Sequence, residues 1–184
     1  MRLLALALPL VIALFACTSA CITRPQGKAL PLPTPGLVLL LGTATNITVE
    51  DAATRLQKEF QRTFPAMAAG HPGPDPPDFV VQETPHLQIA AAGDVFRLTQ
   101  LNRPYVEDVY RWPFIKGHHA WLAVDSLSPN PTAQTERTLA RILAALATGP
   151  VIAIYLPASD RMVPAPAGLL PILRSPDPIA LLFP

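Results

Sequence analysis

Apolar runs give the clearest structural signal along this chain. Residues 37–41 and 151–156 consist of apolar and aromatic side chains, the pattern of strands that are buried on both faces. Three stretches with the composition of strands lie between them at 79–83, 87–92 and 95–101, and another follows at 119–127. The sequence therefore predicts a wide sheet.

Two segments have the spacing of amphipathic helices. The first is predicted over residues 49–64, because Thr48 and Asp51 form a variant of the capping box and apolar side chains then recur at helical intervals. The second is predicted to open at Asn130–Pro131 and to close at Gly149–Pro150, with an apolar stripe in between.

The order of these elements decides the fold class. Two helices cannot cover both faces of a sheet this wide. We therefore expect residues 37–184 to form a single α+β domain. Its predicted architecture is a two-layer sandwich, with a mixed or antiparallel sheet and two main helices on one face.

The N-terminal segment predicts export. Arg2 precedes an apolar stretch from Leu3 to Ala16, which is shorter than the roughly 20 residues that a membrane-spanning helix needs. Residues 1–16 are accordingly predicted to be a signal peptide. The alternative is an uncleaved anchor that continues to Ile22.

Each of the two cysteines ends a sequence that resembles the bacterial lipobox, in which a small residue precedes a cysteine that becomes lipidated. We favour Cys17 over Cys21 as the lipidated residue, and simple cleavage after Ala20 is a third alternative. The Pro-rich residues 17–36 would then be an extended tether. The expected location is the bacterial cell envelope, with the domain anchored to a membrane and facing the periplasm or the exterior.

Composition excludes several kinds of chemistry. No cysteine follows Cys21, so the domain has no disulfide, thiolate nucleophile or zinc–thiolate site of its own. Lys and Arg number 14 against 13 Asp and Glu, with no cluster of positive charge. Because phosphate backbones bind to clustered cations, we expect no nucleic-acid partner. We also expect no cofactor and no metal.

The pair His118–His119 is the most obvious candidate for catalysis. Neighbours in a strand point to opposite faces, so His118 is predicted to share the helix-packed face, whereas His119, Trp121 and Asp125 share the open face. About 3.3 Å per residue separates His119 from Asp125 by roughly 20 Å. A hydrolase or metal-dependent enzyme centred on His118/His119 would therefore need another partner, and it remains the alternative function.

That further partner for a histidine-centred enzyme would come from elsewhere in the chain. Candidates are His86, Asp94 and Glu107. No G-x-S-x-G motif accompanies Ser126, so a serine hydrolase of the α/β type is not indicated.

Residues 102–117 combine aromatic and cationic side chains, as binding surfaces do. The candidate ligand-binding residues of this segment and the adjacent strand are Arg103, Tyr105, Tyr110, Trp112, His119 and Trp121. The alternative interpretation is that the aromatic rings only cap the bare face of the sheet as a second core. The leading hypothesis is a non-enzymatic binding or structural module that is tethered to a membrane and whose partner is a small molecule, a glycan or a protein.

The second half of the chain resembles an uncharacterised bacterial domain family of unknown function. The resemblance rests on a His-x-Ala-Trp-Leu-x-Val-Asp strand at 118–125 and a later Tyr-x-Pro strand at Tyr155 and Pro157. It implies an α+β domain over about residues 37–183 and implies no reaction.

Overall fold

A computed structural model describes residues 36–67, 80–83, 86–106 and 110–184, all within the unit Pro31–Pro184. The strands are β1 (Gly36–Leu41), β2 (Ala66–Met67), β3 (Val80–Glu83), β4 (Leu87–Ala91), β5 (Asp94–Leu101), β6 (Ala120–Ser126), β7 (Val151–Leu156) and β8 (Arg161–Pro164). The helices are α1 (Val49–Phe60), α2 (Ala133–Leu146), α3 (Leu169–Leu173) and α4 (Pro178–Leu182). Cys17, Cys21 and the predicted signal peptide lie outside the described residues.

The strands form one sheet in the order β2-β3-β4-β5-β6-β1-β7-β8. Only β2 and β3 pair in parallel within the described part of the chain; the other neighbours are antiparallel. All six predicted strands are present. The prediction of an α+β two-layer sandwich with a mixed sheet is confirmed.

Helix α1 begins as predicted but ends earlier. The hydroxyl of Thr48 accepts a hydrogen bond from the backbone N–H of Asp51 at 3.2 Å, which caps the first turn. The helix ends at Phe60 rather than at residue 64, because Gln61 takes a left-handed conformation with φ of 55°. Phe64 still packs against the core, with its ring 5.6 Å from that of Phe60.

Helix α2 begins at Ala133, slightly later than the predicted opening at Asn130–Pro131. Thr132 and Thr135 cap each other reciprocally through their hydroxyls and backbone N–H groups, which is the capping-box arrangement. Thr135 also donates to Asp94 at 2.8 Å, so the start of α2 is attached to the start of β5.

The main core lies between the sheet and its helices. Alternation along β1 sends Leu37, Leu39 and Leu41 into this core, whereas Val38 and Leu40 enter a second core on the opposite face. Every residue of β1 is buried, as its uninterrupted apolar run predicts. Among the described residues, no helix has both the length and the apolar character needed to span a membrane.

The second face of the sheet is not bare over its centre. Tyr105, Val106 and Trp112 pack against it, and the short 3-10 helix Pro113–Ile115 adds the fully buried Ile115 to the same core as Val38 and Leu40. The segment that carries most of the candidate binding residues is therefore attached to the sheet by a small core of its own.

Candidate functional site

Four aromatic side chains meet on the second face, and we call them the aromatic cluster: Tyr105, Trp112, Trp121 and Tyr155. The ring of Tyr105 lies 5.0 Å from that of Trp121, almost perpendicular to it, and 5.7 Å from that of Tyr155. Trp112 lies 6.2 Å from Tyr155. These separations are typical of favourable aromatic pairs, and all four rings are partly buried.

A polar network lies at the edge of the aromatic cluster. The guanidinium of Arg111 stacks over Trp112 at 4.2 Å and forms an ion pair with Asp160 at 2.6 Å. The hydroxyl of Tyr155 donates to the same carboxylate at 3.0 Å. These two contacts lower the pKa of Asp160, and burial together with the bond to Asp160 raises the pKa of Tyr155 to about 12.

Asp160 is held in an uncommon backbone conformation, with φ of 51°. Aspartate tolerates the left-handed region better than most residues do, and this turn aims the carboxylate at Arg111 and Tyr155. Tyr155 and Asp160 were not among the predicted binding residues. The available signal for Tyr155 was its position on β7, two residues after Ala153, which places both side chains on the second face.

The predicted binding residues separate into two groups. Tyr105, Trp112 and Trp121 belong to the aromatic cluster and pack on the second core. Arg103 and His119 are exposed, and Tyr110 is 96% exposed. Part of the described segment therefore caps the sheet, as one interpretation of residues 102–117 expects, and part of it presents side chains to solvent.

His118 is not on the helix-packed face, which corrects the prediction. The strand β6 begins only at Ala120, and His118 is buried with 6% exposure. Its Nδ1 bonds to the carbonyl of Ile115 at 2.8 Å, and its Nε2 accepts from the backbone N–H of Tyr105 at 3.1 Å. Both ring nitrogens thus hold the segment that covers the second face.

The face predicted for Trp121 and Asp125 is as observed. Asp125 is opposite Arg97 in the register of β5 and β6, and its Oδ2 accepts from Nε and Nη2 of Arg97 at 3.3 and 3.0 Å. The residue is 1% exposed, and its Oδ1 has no hydrogen-bond partner in the described part of the chain. Burial raises the pKa of Asp125, although Arg97 and His86 act in the opposite direction.

The histidine-centred enzyme finds little support in this geometry. Both carboxylate oxygens of Asp94 accept hydrogen bonds from hydroxyls, those of Ser128 and Thr135. Glu107 lies outside the described residues. Over residues 36–67, 80–83, 86–106 and 110–184, no group of three or more His, Cys, Asp and Glu side chains is placed to hold a metal ion.

Comparison of the chain with known protein families, with curated proteins and with solved structures gives no match. The resemblance to an uncharacterised bacterial domain family therefore stays a prediction. Function has to be inferred from the geometry of the two features above, the aromatic cluster with its polar edge and the Arg97–Asp125 pair.

Proposed function

We propose that this chain is an exported lipoprotein, tethered to a membrane of the bacterial cell envelope, whose domain is a non-enzymatic binding module. The tether and its lipid are inferred from the apolar leader and from Cys17 or Cys21. The binding surface is inferred from the exposed part of residues 102–117 and the adjoining polar network of Arg111, Asp160 and Tyr155. Its partner is a small molecule, a glycan or a protein of the envelope.

The single observation that carries the binding hypothesis is the placement of Tyr110 and Arg111. Tyr110 is 96% exposed, and the next residue is fixed by its stacking on Trp112 and its ion pair with Asp160. Tyrosine and arginine are among the residue types that contribute most of the binding energy at protein interfaces. Because the segment is attached by the buried Ile115, this surface is held in place before a partner arrives, which lowers the entropic cost of binding.

In the hydrolase alternative, His118 is poorly placed to act as a general base. A general base needs a ring nitrogen within reach of a substrate proton, and both nitrogens of His118 are engaged with backbone groups. His119 is exposed, but neither Asp125 nor Asp94 bonds to it in the described structure. We therefore retain the binding module as the proposal.

Labelling with radioactive palmitate tests the membrane tether. We expect the wild-type chain to incorporate the label in bacterial cells and Cys17→Ala to lose it completely, because acylation requires the thiol. Cys21→Ala should label like the wild type. Label in Cys17→Ala but not in Cys21→Ala would assign the lipid to Cys21. A wild-type chain without label would contradict the lipoprotein proposal.

Co-sedimentation with insoluble cell-envelope fragments tests the binding surface. The detergent-solubilised full chain should sediment with the fragments, and Tyr110→Ala should reduce the bound fraction about tenfold, as the loss of an interface anchor does. Leu181→Ala is the matched control, since Leu181 is another exposed apolar side chain, at 59%, on α4. Equal sedimentation of the two variants would contradict the assignment of the surface.

A further inference from the structure

The imidazole of His118 lies between two backbone groups that fix its protonation state. A carbonyl oxygen only accepts hydrogen bonds, so Nδ1, which lies 2.8 Å from the carbonyl oxygen of Ile115, carries the hydrogen of that bond. A backbone N–H only donates, so Nε2, which lies 3.1 Å from the backbone nitrogen of Tyr105, carries none. The ring is therefore neutral and in a single tautomer while both bonds are present.

A second proton on this ring removes the acceptor for Tyr105. Protonation takes place at Nε2, because Nδ1 already carries a hydrogen, and both nitrogens of an imidazolium ion are donors. Two N–H groups would then face each other with no acceptor between them. The bond from Nδ1 to Ile115 persists and the bond to Tyr105 is lost, so proton uptake acts on one side of the ring only.

The bond to His118 holds Tyr105 in the aromatic cluster. The ring of Tyr105 lies 5.0 Å from that of Trp121 and 5.7 Å from that of Tyr155, and the residue is half-buried on the second core. Its N–H has no other acceptor in the part of the chain that the structure describes. Pro104, directly before it, is exposed, so this end of the cover lies at the surface, where a proton from solvent reaches the ring.

The ionisable side chains around the ring do not stabilise an imidazolium ion. Three of them, all exposed, come from the same segment: Arg103, Lys116 and His119. Burial and the charge of Asp125 raise the pKa of the Tyr105 hydroxyl, which is therefore uncharged, and Asp125 itself is paired with Arg97. The adjoining β1 and 3-10 helix contain no ionisable side chain. No described carboxylate bonds to either nitrogen of His118, so a second proton has no counter-charge to hold it in place.

We propose that His118 is an acid-sensitive switch, in which one proton from solvent binds to Nε2, breaks the bond to Tyr105 and releases Tyr105 from the aromatic cluster. Histidine changes its charge between about pH 5 and 8. Tyr105 is therefore held above this range and released as the pH falls through it. Ile115 and the strands beneath it stay in place, because the bond from Nδ1 is kept. This conformational change goes beyond the proposed function and does not depend on it.

Hydrogen exchange followed by NMR on the detergent-solubilised full chain tests the switch. The protection factor compares each observed rate with the rate of an unfolded peptide at the same pH, so the ordinary effect of pH on exchange cancels. We expect the protection factor of the Tyr105 N–H to fall about tenfold or more between about pH 8 and pH 5, because its buried hydrogen bond is lost. The N–H of Leu39, in the interior strand β1, should keep its protection.

Two histidine variants assign the effect to one ring. In His118→Gln the amide oxygen accepts from Tyr105 and takes up no proton in this range, so the protection factor of Tyr105 should not depend on pH. His119→Gln is the matched control, since it removes the exposed neighbouring imidazole, and it should behave like the wild type. In the wild type, the Cε1 signal of His118 should shift with the same midpoint as the protection of Tyr105.

Four outcomes would overturn the switch. One is a protection factor of Tyr105 that stays constant across the range in the wild type. Another is a fall that persists in His118→Gln. A third is an equal fall at Leu39, because the whole domain would then be unfolding. The last is a His118 signal whose midpoint differs from that of Tyr105, a measurement that needs no variant to fold.

Discussion

Replacing His118 with alanine should lower the free energy of unfolding by about 2–3 kcal/mol, a large loss for one polar side chain. The imidazole is buried and joins two parts of the segment that covers the second face, the carbonyl of Ile115 and the N–H of Tyr105. Ile115 retains a hydrogen bond from the backbone N–H of residue 118. The N–H of Tyr105 loses its acceptor, and an unpaired buried donor costs about 1–3 kcal/mol, to which the vacated volume adds.

The neighbouring histidine supplies the control. His119→Ala should change the free energy of unfolding by no more than about 0.5 kcal/mol, because an exposed side chain away from special contacts is usually neutral. His118→Gln should recover part of the loss, since its amide oxygen can accept from Tyr105. Chemical denaturation of the three variants measures these differences. Equal destabilisation by His118→Ala and His119→Ala would contradict the assigned role of the ring.

Most of the correct structural predictions rest on the alternation of side chains between the two faces of each strand. The apolar run of β1 predicts burial on both faces, and β1 lies inside the sheet between β6 and β7 with every residue buried. Alternation in β6 places Trp121 and Asp125 on the face away from the helices, as observed. These predictions succeed because the strand period of two depends only on local backbone geometry.

The prediction for His118 failed at a strand boundary. Alternation was extended two residues too far, and β6 begins only at Ala120. Gly117 has φ of 92°, a conformation that redirects the chain just before the histidines. Alternation does not assign a face to a residue outside a strand. The ring of His118 instead bonds to the backbone of Ile115 and Tyr105. Positions of strand ends are set by tertiary contacts such as this one, which a local pattern does not encode.

Only some residues of the candidate site could be predicted from the sequence, for a related reason. The aromatic content of residues 102–117 indicated a binding surface or a second core, and the structure packs Tyr105 and Trp112 on the second core and leaves Tyr110 exposed. Tyr155, Asp160 and Arg97 were missed because their partners are distant in sequence. Asp160, for example, meets Arg111 across 49 positions, and only the pairing of strands brings such residues together.

Asp125→Asn should gain stability relative to the wild type as the pH rises through the pKa of Asp125. Burial raises the pKa of Asp125 above its ordinary value of 3.8 despite the attraction of Arg97, so the fold disfavours the ionised carboxylate more than the unfolded chain does. Wild-type stability is therefore lost as the pH rises from about 3.8 through the raised pKa, and the loss is complete above it. Asparagine, which resembles the protonated acid, avoids this loss.

Denaturation at a series of pH values measures the difference between Asp125→Asn and the wild type. The difference should shift in favour of the variant across that pH window and then stay constant. Asp160→Asn should behave in the opposite sense and over a different range: the pKa of Asp160 is lowered from 3.8, so the wild-type advantage is lost as the pH falls from about 3.8 through the lowered pKa. If the difference between Asp125→Asn and the wild type is the same at pH 3.8 and at neutral pH, the fold does not raise the pKa of Asp125 above 3.8.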